Sequence, residues 1–207
     1  MEERIYYFED TKPENTELLL NIVMQKAKER GIKHVVVAST RGETGAKAAE
    51  IFQGTGINVV VVTHPKSPSG PILQEEFDKR IRTSGGKVVT TTFAFGGVGS
   101  SFRKLPPREP NQPAPQLYYP SYIPPTGELI ANVLRLFSQG MKVCLEIAVT
   151  AADSGAIPIG EDVIAVGGQG RGANTAIIVK STNTATFFDL DVKEIIAKPN
   201  RKTLPRQ

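Results

Sequence analysis

His34-Val-Val-Val-Ala-Ser-Thr-Arg-Gly-Glu-Thr-Gly-Ala-Lys-Ala-Ala-Glu-Ile-Phe52 decides the fold. His34–Ala38 is a continuous apolar, β-branched run, the pattern of a strand covered on both faces. Ser39–Gly45 is a polar, glycine-bearing turn, and Ala46–Phe52 predicts a short helix. Ile57–Val62 follows as a second buried strand. After the loop Thr63–Gly70, a helix is expected from Pro71 to Arg82, with Leu73, Phe77 and Ile81 on one stripe. Gly85-Gly86 then leads into a third strand, Lys87–Thr92. Strands and helices alternating over such short connections predict a parallel sheet with right-handed crossovers.

Upstream of this unit, Ile5–Phe8 is a short apolar run. Thr11-Lys12-Pro13-Glu14 has the form of a capping box with Thr11 as N-cap, and Leu18, Leu19, Ile22, Val23 and Ala27 recur at helical spacing up to Arg30-Gly31. Downstream, regularity breaks. Phe93–Lys104 is rich in Gly, Ser and Phe. Leu105–Pro125 holds eight of the 15 prolines with Tyr118, Tyr119 and Tyr122, which excludes helix and central strand and suits a lid or a subunit contact. A long helix is expected from Thr126, bent or divided at Gly140. Val163–Val166, the glycine loop Gly167–Gly172 and the run Thr175–Lys180 come next. Phe187-Phe188 and Val192–Ala197 are expected to form a final strand and a short helix. Residues 1–197 are thus expected to form one α/β domain with a Pro-rich insertion at 105–125, followed by a basic tail, 198–207, that is expected to be disordered after Pro199.

The chain of 207 residues carries 25 Lys and Arg against 21 Asp and Glu. Four of those cations lie in residues 198–207, which hold no acid, so the body is neutral and the tail basic. The pI of 9.2 therefore describes a tail and gives no support to nucleic-acid binding. No apolar run approaches the ~20 residues of a membrane span, and the acidic start Met1-Glu2-Glu3-Arg4, with no apolar h-region after it, leads to the expectation of no signal peptide. The single cysteine, Cys144, excludes an internal disulfide, reads as a buried small hydrophobe and fits a cytoplasmic location. No metal site is expected from two histidines set 30 positions apart. The Gly-x-Ser-x-Gly elbow of a hydrolase is missing.

Two loops have the chemistry to hold a phosphate. Ser39, Thr40, Arg41, Gly42, Glu43, Thr44 and Gly45 lie between a buried strand and a helix N-terminus, where free N–H groups and the helix dipole favour an anion. Glycines 42 and 45 admit close approach, hydroxyls at 39, 40 and 44 can donate, and Arg41 or Lys47 adds charge. The alternative is a capping box, Thr40-x-x-Glu43, that only starts the helix. The glycine–lysine spacing is wrong for a Walker A loop, which excludes an NTPase reading. The second loop is Gly167, Gly168, Gln169, Gly170, Arg171 and Gly172. Its glycine pattern satisfies the dinucleotide fingerprint formally, but the β-branched run that follows is a strand, so this is a strand-to-strand loop. It either wraps an anionic ligand, with Arg171 as a bidentate donor, or is a flexible hairpin loop. His64 ends the second strand on the rim of Thr40, as a pocket residue, an acid/base group or a plain loop histidine. His34 lies on the opposite rim. Asp153, at a helix end, is open to a sugar hydroxyl or to solvent, and Phe93 and Phe95 to ring stacking or the core.

His34–Ala46 with Ile57-Asn-Val-Val-Val-Val-Thr63 resembles the C-terminal domain of pyruvate kinase. So do Glu161-Asp-Val-Ile-Ala-Val-Gly-Gly168, the glycine loop, and Asn174-Thr-Ala-Ile-Ile-Val-Lys180. The likeness covers about residues 15–95 and 126–182. It departs at Gly45, which precedes Ala46 where the family runs from Thr or Ser straight to Ala, and at the insertion 96–125. The barrel that carries pyruvate kinase chemistry is absent, so kinase activity is not implied. A closer resemblance is to stand-alone proteins of this domain, found mostly in archaea and associated with flavin mononucleotide (FMN).

With the five strands numbered from His34–Ala38 to Thr175–Lys180, the resemblance implies a three-layer α/β/α domain. Its mostly parallel sheet has the order 3-2-1-4-5, the fifth strand antiparallel. Ligands of such sheets bind at the switch point, here the carboxyl ends of strands 1 and 4, where both loops leave. The expectation is a homo-oligomeric protein binding a phosphorylated small molecule, FMN, through Ser39–Gly45, His64, Gly167–Arg171 and Asn174. The alternatives are a flavin-dependent oxidoreductase or sugar-phosphate enzyme using His64 or Asp153, and a regulatory oligomerisation module. No catalytic residue is assigned.

Overall fold

The fold is that of a computed structural model describing residues 2–66, 72–96 and 125–200. Its order is β1 (Tyr6–Phe8), α1 (Asn15–Arg30), β2 (His34–Ala38), α2 (Glu43–Phe52), β3 (Asn58–Thr63), α3 (Glu75–Thr83) and β4 (Lys87–Thr90). Then come α4 (Thr126–Leu134), α5 (Gln139–Asp153), β5 (Asp162–Gly167), β6 (Thr175–Lys180), a 3₁₀ turn at Thr184–Asp189, and β7 (Asp191–Pro199). One sheet runs β1-β7-β6-β5-β2-β3-β4. β2 pairs in parallel with both β3 and β5, while β6 is antiparallel to β5 and β7.

Side chains along a strand alternate between faces, and each face here is roofed by helices. Val35, Val37, Val59 and Val61 pack with Leu19, Leu20, Val23, Ala49 and Phe52 of α1 and α2. Val36, Val60 and Val62 pack on the other side with Cys144, Ile147, Ala148 and Ala151 of α5. The valine run of β2 is unbroken because both alternating sets are buried. These faces make three layers, α/β/α.

Several boundaries differ from expectation. The sheet has seven strands instead of five. β1 and β7 extend it beyond β6, with Tyr6, Tyr7 and Phe8 opposite Ala197, Lys198 and Pro199. The expected helix at Val192–Ala197 is strand, because pairing with β6 over Asp191–Ala197 outweighs the mixed polar pattern. Phe187-Phe188 falls in the 3₁₀ turn. β7 runs through Pro199 and so takes in the first two residues of the expected basic tail. α1 has Glu14 as N-cap with no side-chain cap, so Thr11 forms no capping box. α3 starts at Glu75, after an extended Gln74. The break after α4 falls before Ser138, whose hydroxyl caps α5 by accepting from Met141 N at 2.9 Å. Gly140 does not divide the helix. It brings α5 against β6, where an added Cβ would lie 2.2 Å from Thr175 Oγ1. The insertion up to residue 124, with its tyrosines, and the tail from 201 lie outside the described residues. Among the described residues no helix is long and apolar enough to cross a membrane.

Candidate functional site

The loop after β2 is held at both ends. Ser39 N donates to Val62 O at 3.0 Å, and Thr63 Oγ1 donates to Thr40 O at 3.1 Å, so the strand's exit is tied to β3. Arg41 O accepts from Gln74 N at 2.9 Å, fixing the loop to the start of α3. Gly42 is the N-cap of α2 at φ 108°, and a Cβ there would sit 2.4 Å from Phe77 Cβ. Both the left-handed backbone and the close approach require glycine. The alternative reading of the loop, a capping box of Thr40 and Glu43, is not formed. Instead Ser39 Oγ accepts from Gly45 N at 3.0 Å, the third N–H of the helix. Glu43 and Thr44 open the helix beside it.

The second loop joins β5 to β6 as a hairpin, as expected. Asn174 N donates to Gly167 O at 3.0 Å, and Ala173 N donates to Thr16 Oγ1 at 2.9 Å, so the loop leans on the start of α1. Asn174 is buried, its Oδ1 accepting from Thr175 Oγ1 at 3.0 Å. Gln169 Oε1 is buried without a hydrogen-bond partner.

Both loops open into one cavity of about 500 Å³ at the carboxyl ends of β2, β3 and β5. Ser39, Thr40, Arg41, Glu43 and Thr44 line it from the first loop, and Gly168, Gly170, Arg171 and Gly172 from the second. His64 lines it from the end of β3, its Nδ1 3.1 Å from Pro65 O and its ring edge-on to Phe93 at 5.9 Å. Gly42, Gly45, Gly167, Gln169 and Asn174 are outside the lining.

The fourth wall is the first half of α5: Gln139, Lys142, Val143 and Glu146. Sequence reading missed it. Lys142 is 9 % exposed and Glu146 1 % exposed, and the two form an ion pair one turn apart. Glu146 also accepts from Phe95 N at 3.2 Å, and the Lys142 ammonium lies 5.8 Å from the Phe93 ring centroid. Burial pulls the Lys142 ammonium below the ordinary lysine range, against the opposing pull of Glu146. The available signal was a lone Lys–Glu pair at helical spacing inside Met141–Ala152, which has no other charge.

Other candidates lie elsewhere. Asp153 Oδ1 accepts from Thr184 N at 2.9 Å and caps the 3₁₀ turn, away from the cavity. Cys144 is fully buried, its Sγ donating to Ala165 O at 3.3 Å, and burial pushes its thiol far up. His34 sits at the amino end of β2, where burial lowers its pKa. Phe95 is in the core, while Phe93 lines the cavity.

Among the lining charges, Glu146 neutralises Lys142, which leaves Arg41 and Arg171 against Glu43. The amino end of α2 follows Arg41 directly, with Gly42 as its N-cap, so the dipole's positive end lies at the same loop.

Comparison with known proteins corrects one expectation and settles the family. Among solved structures the chain resembles an O-ureido-L-serine synthase, with 24 % identity and a TM-score of 0.31 over 42 % of this chain and 27 % of that one. A mutant of that synthase with O-ureido-L-serine bound matches at 22 % identity and TM-score 0.31, over 58 % and 28 %. A hydrogen sulfide-producing enzyme from Fusobacterium nucleatum matches at 20 % and 0.30, over 43 % and 28 %. The chain therefore spans little more than a quarter of the length of these structures. None of these is described as a flavin protein, and the expectations of FMN, of a flavoprotein and of a flavin-dependent oxidoreductase are withdrawn. Their low TM-scores bring none of their own reactions to this chain. The likeness to the pyruvate kinase domain stands on different ground. Residues 17–179, well over half of the sequence and running from within α1 to within β6, match the family described as pyruvate kinase, alpha/beta domain, and the chain belongs to that family.

Proposed function

We propose that the cavity binds a small, non-flavin molecule through an anionic group, phosphate or carboxylate, seated at Ser39–Gly45. The observation that carries this reading is the convergence of two loops, about 130 residues apart in sequence, on one cavity at the switch point between β2 and β5. The anion takes its hydrogen bonds from the first N–H groups of α2 and the hydroxyls of Thr40 and Thr44. Arg171 closes over it from the hairpin. The volume of about 500 Å³ suits a metabolite-sized ligand. Isothermal titration with inorganic phosphate and with a small carboxylate tests the reading. Arg171→Ala is expected to weaken binding about tenfold, the scale of one charge-assisted hydrogen-bonded pair. Equal affinity in the variant, or no binding of either anion to the parent protein, overturns it.

The expected homo-oligomer belongs to the same proposal. Leu129, Val133, Leu136 and Phe137, on and just after α4, are each more than half exposed, an apolar surface that self-association would cover. Light scattering over a concentration series tests this, and a monomer at every concentration refutes it. A cytoplasmic location is likewise proposed, in keeping with a single thiol that is buried and unbridged.

A further inference from the structure

The Lys142–Glu146 pair has one structural task, the Glu146 carboxylate's acceptance from Phe95 N, and that task does not involve Lys142. Buried ion pairs are weak contributors to stability, and α5 carries no other charge between Met141 and Ala152. Yet both residues line the cavity, and Phe93 stands beside the ammonium as an apolar wall. A lysine shielded from water and next to a carboxylate can hand over a proton and present a free amine. An amine needs no oxidant or metal to react with a carbonyl group.

We infer that Lys142 is a carbonyl-reactive lysine, and that the ligand class of the cavity is a small aldehyde or ketone that also bears a carboxylate or phosphate. This rests on the anion reading above, which would hold the ligand's charged end at α2 while its carbonyl reaches α5. Lys142 gives a proton to Glu146, and the freed nitrogen lone pair adds to the carbonyl carbon as the C–O π pair moves to oxygen. Two of the three ammonium protons end on that oxygen, which leaves as water. The third stays on the nitrogen of the new C=N bond. Charge is conserved, nothing is oxidised or reduced, and Glu146 remains as counter-ion to the protonated imine.

The test uses the full chain with glyoxylate and, separately, glyceraldehyde 3-phosphate, trapping with borohydride and locating the label by peptide mass mapping. Label at Lys142 is expected to exceed that at any other lysine by about tenfold, reflecting its activated amine. Inorganic phosphate is expected to suppress it. Lys142→Arg keeps the charge and the pairing with Glu146 but forms no imine, so its label at this position is expected to vanish with the fold intact by circular dichroism. Label spread evenly over exposed lysines overturns the inference, as does a label in the parent protein that bypasses Lys142. Phosphate titration on the same sample separates the two readings. Phosphate binding without label at Lys142 sinks the lysine assignment and leaves the anion site standing. Label at Lys142 without binding of phosphate or carboxylate does the reverse, and the absence of both label and anion binding overturns both proposals.

Discussion

Ser39 Oγ accepts the Gly45 N–H at 3.0 Å, which fastens the last turn of the β2 exit to the third N–H of α2. This bond stands in for an N-cap, because the cap residue is Gly42 and has no side chain to offer. Ser39 is also 7 % exposed, so its loss leaves a buried donor unpaired. Ser39→Ala is expected to destabilise the protein by about 1 kcal/mol, the usual worth of a lost cap. A urea unfolding midpoint unchanged from the parent would show that the bond is not formed. The same variant is expected to weaken phosphate binding, since the loop that cradles the anion loses its inner brace.

Glu146 makes a second test of the buried wall. Glu146→Leu leaves the Lys142 ammonium buried without its counter-ion and strips Phe95 N of its acceptor. The expected cost is about 3 kcal/mol. The double variant Lys142→Met, Glu146→Leu removes both charges and is expected to recover most of that loss. Chemical denaturation of the two variants decides the matter. A double variant no more stable than Glu146→Leu alone would mean that the damage comes from packing and not from an unpaired charge.

How far the sequence disclosed this protein depends on how local each feature is. The strand-loop-helix-strand unit from His34 to Thr63 was legible, because valines buried on both faces leave an unbroken apolar run and the loop chemistry follows directly. The two cavity loops were legible for the same reason. β1 was not: three residues, two of them exposed, become a strand only through Ala197, Lys198 and Pro199, nearly the whole chain away. β7 was misread because its first four residues, Asp191-Val-Lys-Glu, carry no clear period. Lys142 and Glu146 were passed over because charges at helical spacing ordinarily face water. Only the sheet topology, which sets α5 across the carboxyl ends of β2 and β5, turns that spacing into a cavity wall. Gly45, a departure from the family pattern, also gains its reason only in three dimensions, since a Cβ there would lie 2.6 Å from Val61 Cγ1.

Cys144 offers a probe of global opening. Its thiol is fully buried, hydrogen-bonded to Ala165 O, and held protonated by its apolar surroundings. Iodoacetamide reacts with thiolate, so the native protein is expected to resist alkylation at neutral pH. Labelling is expected to follow the unfolded fraction through a urea titration. Rapid labelling of the native state, seen by intact mass, would show that α5 opens locally from the sheet.

His34 gives the fold a pH dependence whose sign can be worked out. Burial, the largest cause, holds its pKa below the ordinary value of 6.5, with Lys87 adding to the shift and Glu161 opposing it. Its Nδ1 is buried without a hydrogen-bond partner among the described residues, in keeping with an imidazole that resists charging. Between the folded pKa and 6.5 the unfolded chain binds more protons at this position than the folded one. Stability from this group is therefore complete above 6.5 and is lost as the pH falls through that window. The parent protein is expected to lose stability between about pH 7 and about pH 5, and His34→Gln to lose measurably less. Urea midpoints at the two pH values provide the measurement. Parallel losses in both proteins would assign the acid sensitivity to other groups.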